Sequence, residues 1–337
     1  MNYHHDVIAL YLYHRVCTDG PVAHAWITTI RETCRMLAHD TSSENDTARL
    51  ELFERSACLC LAVNVGSRTF EVLKGEEKDD RTQLEGGTSV NCLAIAAWIG
   101  DIALVKSYNK GSDHPSFFGR PSWAAAAQGH AEIVQFFFDQ GALPYEPDFI
   151  EGPNFNLSKS PLGVAAYMGH ENIVQLYVQA SYHFPEILRE EVTAFYYAAQ
   201  GDQPGTLKYL LEHHKGISTQ QQFLYNIDGA LVWSCRVGAP VSVRILLDYG
   251  ADVNESDPAP RSCLQLAAIA NNARIVKMLL DAGASLEPNN MIHRRASVRP
   301  MERRRQKSAL AEAKLRDNAV IVELLEEKQR ELDRDRS

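Results

Sequence analysis

No stretch of this chain approaches the roughly 18 consecutive apolar residues that a membrane-spanning helix requires. Its opening, MNYHHDVIALYLYHR, lacks the basic, apolar, small-residue order of a secretory signal. Cysteine is sparse and unpaired: Cys17, Cys34, Cys58, Cys60, Cys92, Cys235 and Cys263 form an odd, scattered set with no C-x-x-C arrangement. In 337 residues that usage reads as reduced, mostly buried thiols of an intracellular protein, cytoplasmic or nuclear. A positive excess is missing as well. The formal net charge of −9 argues against generic nucleic-acid binding, and no membrane partner is expected.

The signatures of catalysis are equally thin. There is no G-x-x-x-x-G-K-[ST] phosphate loop, no G-x-G-x-x-G after a strand, and no G-x-S-x-G elbow. The 12 histidines are dispersed. His4-His5 and His213-His214 are adjacent pairs, which point different ways on a helix and chelate one metal poorly. Cys58-x-Cys60 has no second pair to complete a zinc site. The expectation is a non-enzyme, with no catalytic residue, no metal and no cofactor.

What the chain does have is repetition. From Arg120 it reads RPSWAAAAQGHAEIVQFFFDQGA, and from Ser160, SPLGVAAYMGHENIVQLYV. GALVWSCRVGAPVSVRILLDYGADVN follows from Gly229, and SCLQLAAIANNARIVKMLLDAGASL from Ser262. Each passes from a small-residue segment through a Gly or Asn pivot into an I-V-x-L-L-L-like run. Weaker copies start near Leu61, Asn91, Tyr196 and Ser308. The pivots fall at Gly66, Gly100, Gly129, Gly169, Gly201, Gly238, Asn271 and Asp317, and their spacing averages about 36 residues.

The physics of such a unit is a pair of short antiparallel helices. The first is small (Ala96-Ala97, Ala165-Ala166, Ala267-Ala268), so that neighbours approach closely. A left-handed residue ends it, cheapest as Gly or Asn. Ile133, Val134 and Phe137, or Ile275, Val276 and Leu279, then share one face of the second helix. One unit cannot bury that face alone, so stacking supplies the core.

These segments resemble the ankyrin repeat family, over roughly residues 50 to 325. The T-P-L-H start typical of the family is intact nowhere; Ser160-Pro161-Leu162-Gly163 comes nearest. The resemblance implies an all-α ankyrin-repeat solenoid of stacked helix-turn-helix units with short projecting hairpins. Residues 1–50 are expected to form an N-terminal helical cap or degenerate repeat, and 51–286 the repeats. A basic insertion occupies 287–307, a last partial repeat 308–325, and a charged C-terminal helix or tail 326–337.

The resemblance also implies a concave face, whose solvent-facing positions are the two residues before each pivot. That makes Trp98, Ile99, Gln128, Tyr167, Met168, Gln200 and Arg236 candidate partner-binding residues, since aromatics, Met and Arg are enriched at interface cores. The long segment from Leu143 adds Tyr145, Phe149 and Phe155, too apolar for an idle loop.

The insertion HRRASVRPMERRRQK carries a net +6 between Arg294 and Lys307. Arg294 and Arg295, then Arg303, Arg304, Arg305 and Lys307, resemble a two-part nuclear import signal. Ser297 follows Arg294-Arg295-Ala296 as a phosphorylation candidate, although charge runs are commonly just solvated loops.

The leading expectation is a scaffold or adaptor binding another protein on its concave face, with transcriptional co-regulation in the nucleus as its finer form. The alternative is an enzyme or accessory protein holding a small molecule in that groove, motivated by the aromatics beside it: Tyr167, Phe149 and Phe155, with Phe195, Tyr196 and Tyr197 in the next repeat. A third reading, direct nucleic-acid binding through 294–307, predicts steep loss of affinity with salt.

Overall fold

A computed structural model describes residues 3–20, 24–40, 46–65, 87–109, 111, 113–142, 160–181, 187–254, 261–286 and 307–335. Among them the chain is all-α, interrupted only by an isolated bridge between Ser116 and Gly119. It divides into two compact units, residues 1–190 and 191–337.

The first unit opens with three long helices, α1 (Tyr3–Thr18), α2 (Ala25–Asp40) and α3 (Asp46–Val65). α3 runs unbroken through the boundary expected at residue 50, so the loose copy at Leu61 is the end of one 20-residue helix. Its pivot, Gly66, lies outside the described residues. Trp26, Ile27 and Ile30 of α2 are buried with Phe53 and Leu61 of α3.

Three helix pairs follow: α4 (Gly87–Ile99) with α5 (Ile102–Tyr108), α6 (Pro121–Gln128) with α7 (Ala131–Asp139), and α8 (Pro161–Met168) with α9 (Glu171–Ser181). The first helix of each pair is the inner one, and its alanines, Ala124 to Ala127 for example, are buried almost completely. Proline at the first helical position of α6 and α8 supplies φ at no hydrogen-bond cost. Ser160 caps α8 by accepting from the Gly163 N–H at 3.0 Å. α6 begins at Arg120 with no side-chain cap of its own. Asp113, from the preceding hairpin, accepts the Ser122 backbone N–H at 2.9 Å instead.

The pivots carry the register from repeat to repeat. Gly129 sits at φ +84°, ending α6, and the His170 ring lies where its Cβ would be, at 2.7 Å. That ring belongs to the next repeat and donates from Nε2 to the Ala127 carbonyl at 3.1 Å. His130 makes the same 3.1 Å bond one repeat earlier, to the Trp98 carbonyl. Glycine is therefore required at Gly129 by both backbone and neighbour.

The hairpin between α5 and α6 departs from a projecting one. Phe117 and Phe118 at its tip are buried, Phe117 edge-on to Trp26 at 5.6 Å. Asn91 accepts the Phe117 N–H at 3.0 Å, and Asn64 donates to the Phe118 carbonyl at 2.8 Å. Two aromatics at a tip cost too much in water, so the turn folds inward and fastens the repeats to α2 and α3.

The second unit holds α10 (Ile187–Gln200) with α11 (Pro204–Ile217), α12 (Gln220–Val237) with α13 (Pro240–Asp248), α14 (Cys263–Ile269) with α15 (Ala273–Asp281), and α16 (Ala309–Leu315) with α17 (Ala319–Asp335). Ser262 and Gln265 form a complete capping box on α14. The pivot expected at Gly201 is displaced: Asp202 takes the left-handed conformation, at φ +54°. Asn271 and Asp317 occupy that conformation as well. Asp202 earns the position by its carboxylate, which accepts the Ser242 N–H of the next repeat at 2.7 Å. With the pivot moved, the interval from Gly169 is 33 residues, the family period.

The C-terminal helix α17 is continuous over Ala319–Asp335 and joins the last partial repeat to the charged segment expected from 326. It buries only Ile321 and Leu325.

Candidate partner-binding surface

The inner helices α4, α6 and α8 place the first five candidates in the first unit. Gln128 is exposed, and Ile99, Tyr167 and Met168 are half-buried. Burial raises the Tyr167 phenol above its ordinary pKa, so it stays a neutral donor. Trp98 is not on the surface. It is 4% exposed, stacked on Trp123 of α6 with ring centroids 6.2 Å apart and planes 26° from parallel. The neighbouring inner helix offers an indole face, and burying an aromatic against it outweighs exposing one to water. This corrects the expectation that every residue two before a pivot faces solvent.

In the second unit Gln200 is half-buried and Arg236 is exposed. The displaced pivot makes Gln200 the residue two before Asp202, the place Arg236 holds before Gly238. Arg236 lies over Trp233, its Cζ 4.5 Å from the indole centroid. Of the aromatic trio thought to line a groove, Phe195 and Tyr197 are buried and Tyr196 alone is half-buried. Phe195 stacks on Tyr196 at 4.8 Å, so its ring serves packing.

Sequence reasoning passed over the rest of this surface. Tyr225, Gly229, Trp233 and Arg236 follow one another at intervals of four, four and three, which puts them on one stripe of α12. Tyr225 is 52% exposed. Tyr196 lies across Gly229, where a Cβ would meet its hydroxyl at 2.5 Å. Burial, with the charges of Tyr225 and Asp228 nearby, pushes the Tyr196 phenol up to about 12. The spacing was readable, but Trp233 and Tyr225 sit away from the pivot positions to which attention was drawn.

Asn226 of α12 belongs to a buried polar cluster. Glu191 of α10 is 3% exposed, with its Oε2 3.2 Å from His213 Nδ1. The next residue, His214, accepts at Nε2 from the Asn226 amide at 2.9 Å. Ser218 Oγ lies 3.0 Å from the same nitrogen. Burial, aided by repulsion from His213, lowers the His214 pKa, in keeping with an Nε2 occupied as an acceptor. The cluster brings polar groups of α10, α11 and α12 together, with the His214–Asn226 bond joining α11 to α12.

Tyr145, Phe149 and Phe155 lie outside the described residues, as do Arg294, Arg295, Ser297, Arg303, Arg304 and Arg305. Lys307 is exposed, and its carbonyl accepts from Gln265 Nε2 at 2.7 Å. Lys307 is thereby held to α14. Six cysteines are buried and Cys17 is exposed; burial holds the Cys34, Cys60 and Cys235 thiols far above their ordinary pKa. Among the described residues no three His, Cys, Asp or Glu side chains are grouped to hold a metal ion. Nor is any helix there long and apolar enough to cross a membrane.

The sequence matches the family described as ankyrin repeats (3 copies) over residues 122–223 and 195–290, together half of the chain. The chain belongs to the ankyrin repeat family. Among curated proteins, this ankyrin-repeat chain is similar to the transient receptor potential cation channel subfamily A member 1 homolog of Caenorhabditis elegans, 26% identical over 131 residues. That match takes in 39% of the chain and spans 11% of the relative's own length. Among solved structures it is similar to the human ASB11 ankyrin repeat domain, at 19% identity and a TM-score of 0.49. That likeness covers 70% of this chain and 96% of the other.

Proposed function

We propose that this ankyrin-repeat protein is a non-enzymatic scaffold that binds another protein along the exposed face of its inner helices. Ankyrin repeats are generally protein–protein interaction modules. The observation that carries the reading is the stripe on α12, where Tyr225, Trp233 and Arg236 share one face and remain accessible to differing degrees. These are the residue types that dominate binding energy at interface centres. Tyr167, Met168 and Gln128 provide a second accessible group in the first unit.

The test uses the intact chain as bait in a native extract, beside a Tyr225→Ala/Arg236→Gln variant and an outer-helix control carrying Arg244→Ala and Lys277→Ala. A protein retained by wild type and control but lost by the inner-face variant supports the scaffold. Equal retention by all three removes this surface from consideration. A small molecule retained in place of any protein turns attention to the enzyme reading instead.

Transcriptional regulation in the nucleus is the finer part of the proposal, supported by the net +6 of residues 294–307. Replacing Arg303, Arg304 and Arg305 by alanine in a tagged chain tests it. An unchanged nuclear-to-cytoplasmic distribution sinks that part and leaves the scaffold intact.

A further inference from the structure

Three of the four tryptophans, Trp26, Trp98 and Trp123, are buried. Trp233 is half-buried, and an exposed guanidinium lies over it. Among the described residues no carboxylate comes within ion-pair distance of Arg236. An arginine held against an indole has lost much of its rotamer freedom before any ligand arrives, which lowers the cost of binding. Its N–H edges match a carboxylate in a two-bond geometry.

The remainder of the stripe is apolar in character. Tyr225 is 52% exposed, and Tyr196 fills the space over Gly229 between it and Trp233. Asp228, an acid on the same helix, accepts the Asp252 backbone N–H at 2.7 Å. The stripe therefore presents aromatic surface ending in one cation at the C-terminus of α12. Favourable interaction with the helix dipole accounts for a basic residue there, but not for its exposure beside two accessible aromatics.

Resting on the protein-binding reading above, we propose that the α12 stripe docks an acidic segment of the partner polypeptide. An Asp or Glu carboxylate seats on Arg236, and a bulky apolar side chain next to it covers Trp233 and Tyr225. Charge complementarity selects this occupant. A lysine-rich segment meets like charge at Arg236, and a nucleic-acid backbone needs a row of cations where this stripe offers one.

The test is a display selection of random 12-residue peptides on the purified full chain, repeated on Arg236→Gln and on Arg236→Glu. Trp233 is the reporter: an emission change on adding a selected peptide, absent in Trp233→Phe, places the peptide on the stripe. Unchanged far-ultraviolet circular dichroism verifies that each variant is folded. The expected result is enrichment of peptides with Asp or Glu beside a bulky apolar residue. Their recovery falls at least tenfold on Arg236→Gln, and Arg236→Glu enriches Lys or Arg in their place. No enrichment, enrichment without acidic bias, or equal recovery of acidic peptides on Arg236→Gln overturns the proposal. A partner captured from extract that depends on Tyr225 but not on Arg236 leaves the scaffold reading standing and overturns this one alone.

Discussion

Trp98 in the first unit and Arg236 in the second occupy the same place in their repeats, two residues before a left-handed pivot glycine. Trp98 is stacked on Trp123 and nearly inaccessible, whereas Arg236 stands exposed over Trp233 of its own helix. The difference comes from the neighbour. α6 carries an indole that an adjacent ring can cover, so the first unit spends its aromatic pair on packing between inner helices. On α12 the tryptophan is accompanied by an arginine one turn on, whose charge requires solvent. Position in a repeat sets the direction of a side chain; what the next helix offers decides whether it is a contact surface or core.

The sharpest way to break this comparison is to remove the two side chains in turn. Trp98→Ala should destabilise the first unit by about 3–5 kcal/mol, because it empties a buried aromatic site. Arg236→Gln should change stability by about 0.5 kcal/mol or less, as surface substitutions do. Urea unfolding of the two variants measures both, and similar values would mean that Trp98 is not core.

The junctions between repeats should differ in the same sense. At Gly129 a Cβ meets the His170 ring at 2.7 Å, while at Gly238 it meets the Asn272 amide at 3.6 Å. Both positions have positive φ, so alanine costs about 1–2 kcal/mol at each from the backbone alone. Gly129→Ala should cost more than Gly238→Ala, because an imidazole bonded to the Ala127 carbonyl must also move. Equal midpoints in urea would refute the close approach.

A smaller effect is expected at the caps. Ser262→Ala removes the bond that its buried hydroxyl accepts from the Gln265 N–H, leaving only the backbone N–H of residue 262 on Gln265 Oε1, and should cost about 1 kcal/mol. Ser308→Ala, where a half-buried hydroxyl accepts the Ala311 N–H at 3.2 Å and water can replace it more readily, should cost less. Thermal midpoints of the two variants decide the order.

The pH dependence involves both units. His170 in the first and His214 in the second have pKa values lowered by burial. Each is more readily protonated unfolded than folded, so stability is fully present above the unfolded histidine value of about 6.5 and is lost as pH falls below it. In His214 the proton must also displace the Asn226 amide from Nε2. Urea midpoints at pH 7.5 and 5.5 should therefore separate in wild type and converge partly in His214→Asn. A His214→Asn variant with an undiminished acid loss would assign the effect elsewhere.

Much of the fold was legible in the residues. The Ala-rich segments, the glycine pivots and the I-V-x-L-L-L runs identify helix pairs because those residue types answer local requirements: close approach, left-handed backbone and one apolar face. The pivot at Gly201 was misplaced by one residue because glycine is the usual choice there, yet Asp202 is held left-handed by accepting an N–H from the next repeat. The inward hairpin was hidden for a related reason. Phe117 and Phe118 fall in a turn, and only the presence of Trp26 and Asn91 beside them makes burial possible.

The candidate surface was legible only in part. Arg236 was recognised by its place before Gly238, but Trp98 was assigned to the same surface by the same rule. Tyr225 and Trp233 were passed over although their spacing on α12 was plain.

Sequence alone determined that this chain repeats, that its units are ankyrin-like helix pairs, and which faces must be buried, because periodicity and backbone preference act within a few residues. Tertiary structure alone decided which of those repeats bury their aromatics and which expose them. That choice depends on side chains brought together from neighbouring helices, such as Trp123 against Trp98 and Tyr196 across Gly229, whose separation in sequence conceals their proximity.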